Sequence, residues 1–432
     1  MIFVKLLRFN EMEFSELSSI FTDFLSQNLF SSLAIILVAS GFLGTGFFSY
    51  IRRVKPSQKP IGEFFVDHNM LFPPMARPAY SDRMAYVLAE MSDLAYFQFE
   101  GPSKFINDAV NSMVDLKLDD TQSMRKFLDA FSEEALLGHN ISVDTLRKLL
   151  KNSGFDLIQT INVKFSQAFV CKRNIANEQP YLVIAFRGTE DKISDWLTDA
   201  YAVPTQVGAT KIHTGFYNAF SVNTDENGST IETILSDILK SNHALNENGC
   251  PLPLFLTGHS LGGALALLAT RQLASDINGA CYTFGAPRVA SYEYFENIKT
   301  PVYRVTNSSD IVPKIPPGAL NVLLVNSMKA LIILTSFYHP LSRLFKKLEL
   351  LIDTLNGYRH FGDLRYLTDV AEGRFQDVKL LSNPPAIDRI IWFWKHISAS
   401  FKAPVNSHSM LIYRKKIYQV ACDRNRKVIE KK

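Results

Sequence analysis

A serine between glycines stands at Gly258-His259-Ser260-Leu261-Gly262, inside the run LFLTGHSLGGALALLAT at Leu254–Thr270. A serine hydroxyl is a weak nucleophile until a base takes its proton, and the base needs an orienting partner. The pattern G-x-S-x-G has that meaning when a strand precedes it and a helix follows, because the sharp turn lifts the hydroxyl out at the sheet edge. Here an apolar strand-like segment precedes and a long apolar helical segment follows. The glycines permit strand and helix to approach closely, and the helix N-terminus favours developing negative charge. A chance match in a glycine-containing turn is the bland alternative, and the context argues against it. His259 is beside Ser260 in sequence but reads as packing or elbow support, not as the base.

On such a turn the chain order is Ser, then Asp or Glu, then His. The strand-like Val302–Thr306 is followed by Asn307-Ser308-Ser309-Asp310-Ile311-Val312-Pro313. Asp310 is thus a loop carboxylate at the C-terminal sheet edge, where catalytic groups gather. A capping or turn aspartate is the alternative. His339, His360, His396 and His408 come later in the chain. His339 and His396 sit in apolar or amphipathic segments. His360 lies at a strand edge, and His408 in a polar loop before a helical segment. Loop placement and order favour His408 as the base, with His360 as the competitor. Acyl transfer also needs N–H donors for the tetrahedral oxygen. Leu261, after the nucleophile, supplies one. Thr189, which follows Tyr181–Phe186 and Arg187-Gly188, is the candidate for the second. Alternatively, Arg187 and Gly188 make a plain turn, with Arg187 bridging to Asp195 or Asp199.

The elements that must position these groups are legible in the pattern. Ser81–Phe97 has a capping serine and helical apolar spacing, and Gln122–Leu150 reads as one or two further helices. Phe155–Val163, Gln167–Lys172, Tyr181–Phe186, Leu254–Thr257, Cys281–Phe284 and Val302–Thr306 read as strands, with helices at Thr230–Leu239 and Leu261–Ala274. Strands alternating with helices argue for an α/β domain with a mostly parallel central sheet.

The segments FRGT (186–189), DWLTD (195–199), HTGFYNAF (213–220), TGHSLGGALALLA (257–269), TFGAPRV (283–289) and NSSDIVPKIPP (307–317) together resemble the lipase class 3 family, the fungal-lipase-like α/β-hydrolases. The likeness runs from about residue 80 to the C-terminus. It implies an α/β-hydrolase fold and a cofactor-free Ser–Asp–His hydrolase of acylglycerol or phospholipid esters. By motif, it makes Ser260 the nucleophile, Asp310 the acid, and Thr189 and Leu261 the oxyanion donors. It matches His408 to the late catalytic histidine before a hydrophobic-x-x-Tyr segment, and His360 to a non-catalytic one.

The chain departs from secreted members of that family. Residues 24–51 carry no charge, and Leu29–Ile51 is long enough to span a bilayer. Arg52, Arg53, Lys55 and Lys59 follow it, whereas acids dominate upstream. The expectation is an N-terminal transmembrane helix with the catalytic domain in the cytoplasm; a cleaved signal peptide is the runner-up. The expected organisation is a flank at 1–28, an anchor at 29–51, a basic linker at 52–60 and a hydrolase domain at 61–432. That domain carries an apolar and amphipathic insert at 318–357. Ala319–Tyr338 is greasy, and Leu341–Ile352 recurs as a basic amphipathic helix. This insert reads as a lid, a membrane-docking element or core. Ile390–Ile397, with Trp392 and Trp394, is either an interfacial aromatic patch or core.

Over 432 residues the net charge is +4, too small to indicate a nucleic-acid protein. The four basic residues at 52–59 account for an excess of that size. Cys171, Cys250, Cys281 and Cys422 are scattered, so neither a disulfide framework nor a zinc site is expected. No cofactor or metal is expected. The expected partners are a lipid substrate and a membrane, and no protein partner is indicated. The leading function is a membrane-anchored serine hydrolase of lipid esters. A phospholipase-type toxin delivered to another cell and a catalytically inactive lipase-like protein are the competing classes.

Overall fold

The computed structural model describes residues 64–73, 79–97, 143–164, 166–176, 178–188, 205–207, 210–315, 357–368, 374–386, 388–389, 391–392 and 407–429. Two units divide the chain, Met1–Lys55 with Lys192–Asp195 and Pro56–Asp191 with Trp196–Lys432. All described residues belong to the second.

Its centre is an eight-stranded sheet built from β1 (Phe155–Val163), β2 (Ser166–Arg173), β3 (Tyr181–Phe186), β6 (Leu254–His259), β7 (Gly279–Phe284), β9 (Val302–Asn307), β11 (Asp363–Leu367) and β12 (Leu380–Ser382). They lie side by side in that order. The pairings β3–β6, β6–β7, β7–β9 and β9–β11 are parallel. β1–β2, β2–β3 and β11–β12 are antiparallel, so a parallel centre has antiparallel margins. A second, antiparallel sheet holds β4 (Thr205–Val207), β5 (Thr210–Ile212), β8 (Ala290–Ser291) and β10 (Tyr358–Arg359).

β3 shows why the centre must be covered on both sides. Its sequence, YLVIAF, is buried at every position, as parallel strands between two layers are. Tyr181, Val183 and Ala185 enter one apolar cluster, and Leu182, Ile184 and Phe186 enter the other. The first cluster is roofed by α1 (Asp82–Leu94) and α4 (Met410–Ile429), through Met84, Leu88, Met410, Tyr413 and Ile417. The second is roofed by α2 (Ile231–Lys240) and α3 (Leu261–Leu273), through Leu235, Leu265 and Leu268. Ser81 caps α1 by accepting the Met84 N–H at 3.2 Å, and Thr230 and Thr233 form a capping box for α2. This three-layer arrangement is the expected α/β-hydrolase architecture.

α1 is buried from Met84 to Leu94, acids included. Glu90 and Asp93 on it meet Arg414 of α4 at 2.5 and 2.7 Å, and the guanidinium lies 4.3 Å from the centre of the Phe64 ring. Losing one partner of such a buried pair leaves an uncompensated charge, so the pair fixes how the two helices register.

The expected strands at Phe155–Val163 and Tyr181–Phe186 coincide with β1 and β3, and β6, β7 and β9 run one or two residues further. β11 was not anticipated, because Asp363 and Arg365 interrupt its apolar character. Arg365 is accommodated over the rings of Tyr80 and Tyr303, at 4.9 and 5.6 Å. Of Gln122–Leu150 only residues from 143 are described, and these are helical. Trp392 packs on Tyr366 with ring centroids 5.6 Å apart, while Trp394 lies outside the described residues. So do the expected flank, anchor and linker and the insert up to residue 356. Among the described residues no helix is long and apolar enough to cross a membrane. Cys171, Cys250, Cys281 and Cys422 are not joined by disulfides.

Candidate active site

The turn from β6 to α3 is a single residue. Ser260 has φ 57° and ψ −125°, a conformation that non-glycine residues avoid. Its N–H donates to Phe284 O of β7 at 2.9 Å, which ties the turn to the neighbouring strand. A Cβ on Gly258 would lie 2.3 Å from Gly262 C and O, and one on Gly262 would lie 2.2 Å from Phe186 O. Only glycine at both places lets the helix sit this close to the sheet.

Ser260 Oγ is 2.9 Å from His408 Nε2, and His408 Nδ1 is 2.8 Å from Asp310 Oδ2. A carboxylate only accepts, so Nδ1 carries the proton and Nε2 presents its lone pair to the serine hydroxyl. Asp310 is fully buried, and Ser260 and His408 are 7% and 5% exposed. Two more donors hold the carboxylate. Val312 N–H reaches Oδ1 at 2.9 Å, and the Tyr413 hydroxyl reaches Oδ2 at 2.7 Å. The same hydroxyl accepts the Asn307 N–H at 2.8 Å. Burial, reinforced by the Asp310 charge, pushes the Tyr413 phenol well above its ordinary value, so it stays a donor. Asn307 also binds the histidine loop, donating from Nδ2 to Ser407 O at 3.0 Å and accepting Lys416 Nζ at 2.5 Å. The loop after Asp310 is closed by Lys314 Nζ, which donates to Asp310 O at 2.5 Å and Ser308 O at 3.1 Å.

His259 braces this arrangement from behind. Its Nε2 lies 2.7 Å from the backbone carbonyl of His408, and its Nδ1 lies 2.7 Å from Tyr96 Oη. The carbonyl can only accept, so Nε2 donates and, in the neutral ring, Nδ1 takes the Tyr96 proton. The two imidazoles are 4.5 Å apart between centroids. Expected elbow support is therefore a hydrogen-bonded strut from Tyr96 through His259 to the backbone of His408.

His360 is placed differently. Its Nε2–H donates to Pro313 O at 2.6 Å, on the loop that begins with Asp310. Burial first, then Arg304 and Arg288, push it well below the ordinary histidine value. His339 and His396 lie outside the described residues. The N–H of Leu261 is the first of α3, among the amides a helix leaves without an internal acceptor. Thr189 is outside the described residues, and the chain is described as far as Gly188, where a Cβ would lie 2.7 Å from His259 O. Arg187 donates to Gln167 Oε1, while Asp195 and Asp199 are outside the described residues. Among the described residues no three His, Cys, Asp or Glu gather as metal ligands.

Tyr413 and Gly285 are among the contributors not singled out from sequence, as are Asn307 and Tyr96. Tyr413 was visible only as part of a hydrophobic-x-x-Tyr pattern. Gly285, in TFGAPRV, has φ 58°, and its missing side chain leaves room for Asp310, Tyr413 and His408 together.

Residues 183–319 match the family model described as lipase (class 3). A lipase of Rhizomucor miehei is 34% identical over 154 residues, 33% of this chain and 39% of the relative. The chloroplastic phospholipase A1-Igamma2 of Arabidopsis thaliana is 31% identical over 171 residues, 32% of this chain and 31% of the relative. Toxin TseL of Vibrio cholerae is 28% identical over 184 residues, 42% of this chain and 26% of the relative. The chain thus spans less than half the length of each of these relatives. His408 lies beyond the matched residues, so its place rests on the geometry above. The matched residues 183–319 hold both Ser260 and Asp310, so the likeness to the lipase (class 3) family spans the turn and the carboxylate of the candidate site.

Proposed function

We propose that the chain is a serine hydrolase that cleaves carboxylic esters of lipids, acylglycerols or phospholipids, through an acyl-enzyme. The observation that carries this reading is the pair of contacts, 2.8 and 2.9 Å, that joins Asp310, His408 and Ser260 at a turn with φ 57°. His408 Nε2 takes the Ser260 proton, and Oγ attacks the ester carbonyl. Asp310, held by Tyr413 and Val312, fixes the tautomer and stabilises the imidazolium. The Leu261 N–H and Thr189 receive the oxyanion. Proton transfer from His408 lets the alcohol leave, and water activated by the same ring releases the fatty acid.

The names of the lipase and phospholipase A1 relatives support a lipid ester as substrate. Anchoring by 29–51, with residues 61–432 as a cytoplasmic hydrolase domain, remains part of this proposal and rests on the uncharged segment and the basic residues after it. A second reading, a phospholipase-type toxin acting on another cell, is favoured by the likeness to Toxin TseL. The test is hydrolysis of a panel of acylglycerols and phospholipids by purified wild-type and Ser260→Ala protein. Turnover of either class by the wild type alone supports the proposal. Equal turnover by both proteins, or none by either, refutes it.

A further inference from the structure

Two loops far apart in the chain, and the helix that follows the second, meet at one side chain. Asn307 is the last residue of β9, three residues before Asp310, and Ser407 directly precedes His408. Asn307 Nδ2 donates to Ser407 O at 3.0 Å. Its Oδ1 accepts Lys416 Nζ at 2.5 Å and the Ser308 N–H at 3.1 Å. Its backbone N–H donates to the Tyr413 hydroxyl at 2.8 Å, and that hydroxyl donates to Asp310 Oδ2 at 2.7 Å. The loop of the acid and the loop of the base are therefore joined through one residue.

The amide has only one way to sit. A backbone carbonyl only accepts and an ammonium only donates, so Ser407 O needs the amide NH2 and Lys416 needs the amide oxygen. The two demands agree, and together they exclude the flipped amide. Lys416 is held in turn. Its ammonium also donates to Thr368 O at 2.9 Å, just past β11, whose Leu367 pairs with Asn307 in the sheet. Asn307 and Lys416 are 1% and 3% exposed, so water competes little for these bonds. Tyr413 and Lys416 are three apart on α4, which puts them on one face of the helix. One turn of α4 thus carries both a donor to the carboxylate and the cation that orients the amide.

We propose that Asn307 and Lys416 are positioning residues that work as a pair. Lys416 orients the Asn307 amide, and the amide sets where the His408 loop stands relative to Asp310. Neither takes a proton from Ser260 or touches the ester. The kinetic arm of the test rests on the hydrolase reading, and the spectroscopic arm does not.

The full chain is compared with Asn307→Ala, Lys416→Met and the double variant. Removing either partner leaves a buried polar group unpaired and lets the histidine loop shift by a fraction of an ångström. Each single variant should lower kcat about tenfold, with KM changed by less than about twofold. Because Lys416 acts through the amide, the double variant should lose no more than Asn307→Ala, whereas independent effects would multiply to about 100-fold. Val420→Ala, a core truncation on the same helix, is the control: it should cost stability in urea and leave kcat unchanged. Asn307→Asp keeps an oxygen for Lys416 but sets an acceptor against Ser407 O, so kcat should again fall about tenfold. This variant decides the matter should Lys416→Met not fold. The spectroscopic arm follows the proton that His408 Nδ1 donates to Asp310, as a low-field NMR signal. Its exchange with water should quicken in Asn307→Ala and Lys416→Met and not in Val420→Ala, whether or not any ester is turned over. Multiplying losses in the double variant, wild-type kcat in folded Asn307→Asp, or an unchanged signal in both single variants each overturns the proposal.

Discussion

Gly285→Ala tests how tightly the geometry around Asp310 governs turnover. An added Cβ would lie 2.8 Å from Asp310 Oδ2, 3.1 Å from Tyr413 Oη and 3.2 Å from His408 Cε1. Ordinary contact begins at 3.4 Å, so the carboxylate must retreat by about half an ångström, stretching its 2.8 Å bond to His408. The backbone at φ 58° adds strain of about 1–2 kcal/mol for alanine. Misplacing reacting groups by about 1 Å costs on the order of 100-fold, so kcat/KM should fall by roughly 10–100-fold. Gly228→Ala is the control. Its φ is 79° and an added Cβ meets nothing within 4 Å, so it carries the backbone strain without the collision. The assays are urea unfolding and hydrolysis of a soluble short-chain ester well below both unfolding temperatures. Both variants should lose similar backbone stability, and only Gly285→Ala should lose turnover. Unchanged kcat/KM in Gly285→Ala would refute the reasoning that this carboxylate position limits the reaction.

Tyr413→Phe removes a donor to Asp310 and leaves the buried Asn307 N–H unpaired. Chemical unfolding should show a loss of about 2–4 kcal/mol, with kcat reduced as well. Tyr96→Phe frees the His259 tautomer and weakens the strut to His408. It should lower kcat about 2–10-fold with little change in KM, read from steady-state kinetics. His360 is depressed below its ordinary 6.5, so on acidification the unfolded chain binds its proton first. Stability should therefore fall as pH drops below about 6.5 towards the folded value. Thermal unfolding across that range should show a smaller decline in His360→Gln.

The strained turn at Ser260, the candidate nucleophile, was legible because its requirements are local: two glycines, an apolar strand before and a helix after, all within Leu254–Thr270. Asp310 was nearly as plain, since a strand end marks the sheet edge. His408 was harder, for its loop lies far along the chain from Asp310, and only order and polarity separated it from His360. The struts were not legible. Tyr413, Asn307, Tyr96 and Gly285 act through contacts between distant segments, which neither periodicity nor spacing records. β11 was hidden by Asp363 and Arg365, whose cost is met by aromatic rings on neighbouring elements. β8 and β10, two residues each, are too short to show any alternation.

The central claim is that Ser260 is a nucleophile activated by His408. The most direct measurement is covalent labelling by a fluorophosphonate, with the modified residue located by mass spectrometry. It needs no knowledge of the substrate. The account predicts a single adduct on Ser260, absent in Ser260→Ala and formed far more slowly in His408→Ala, while His360→Gln labels at the wild-type rate. An unlabelled Ser260 in folded protein, or labelling that does not depend on His408, would contradict it.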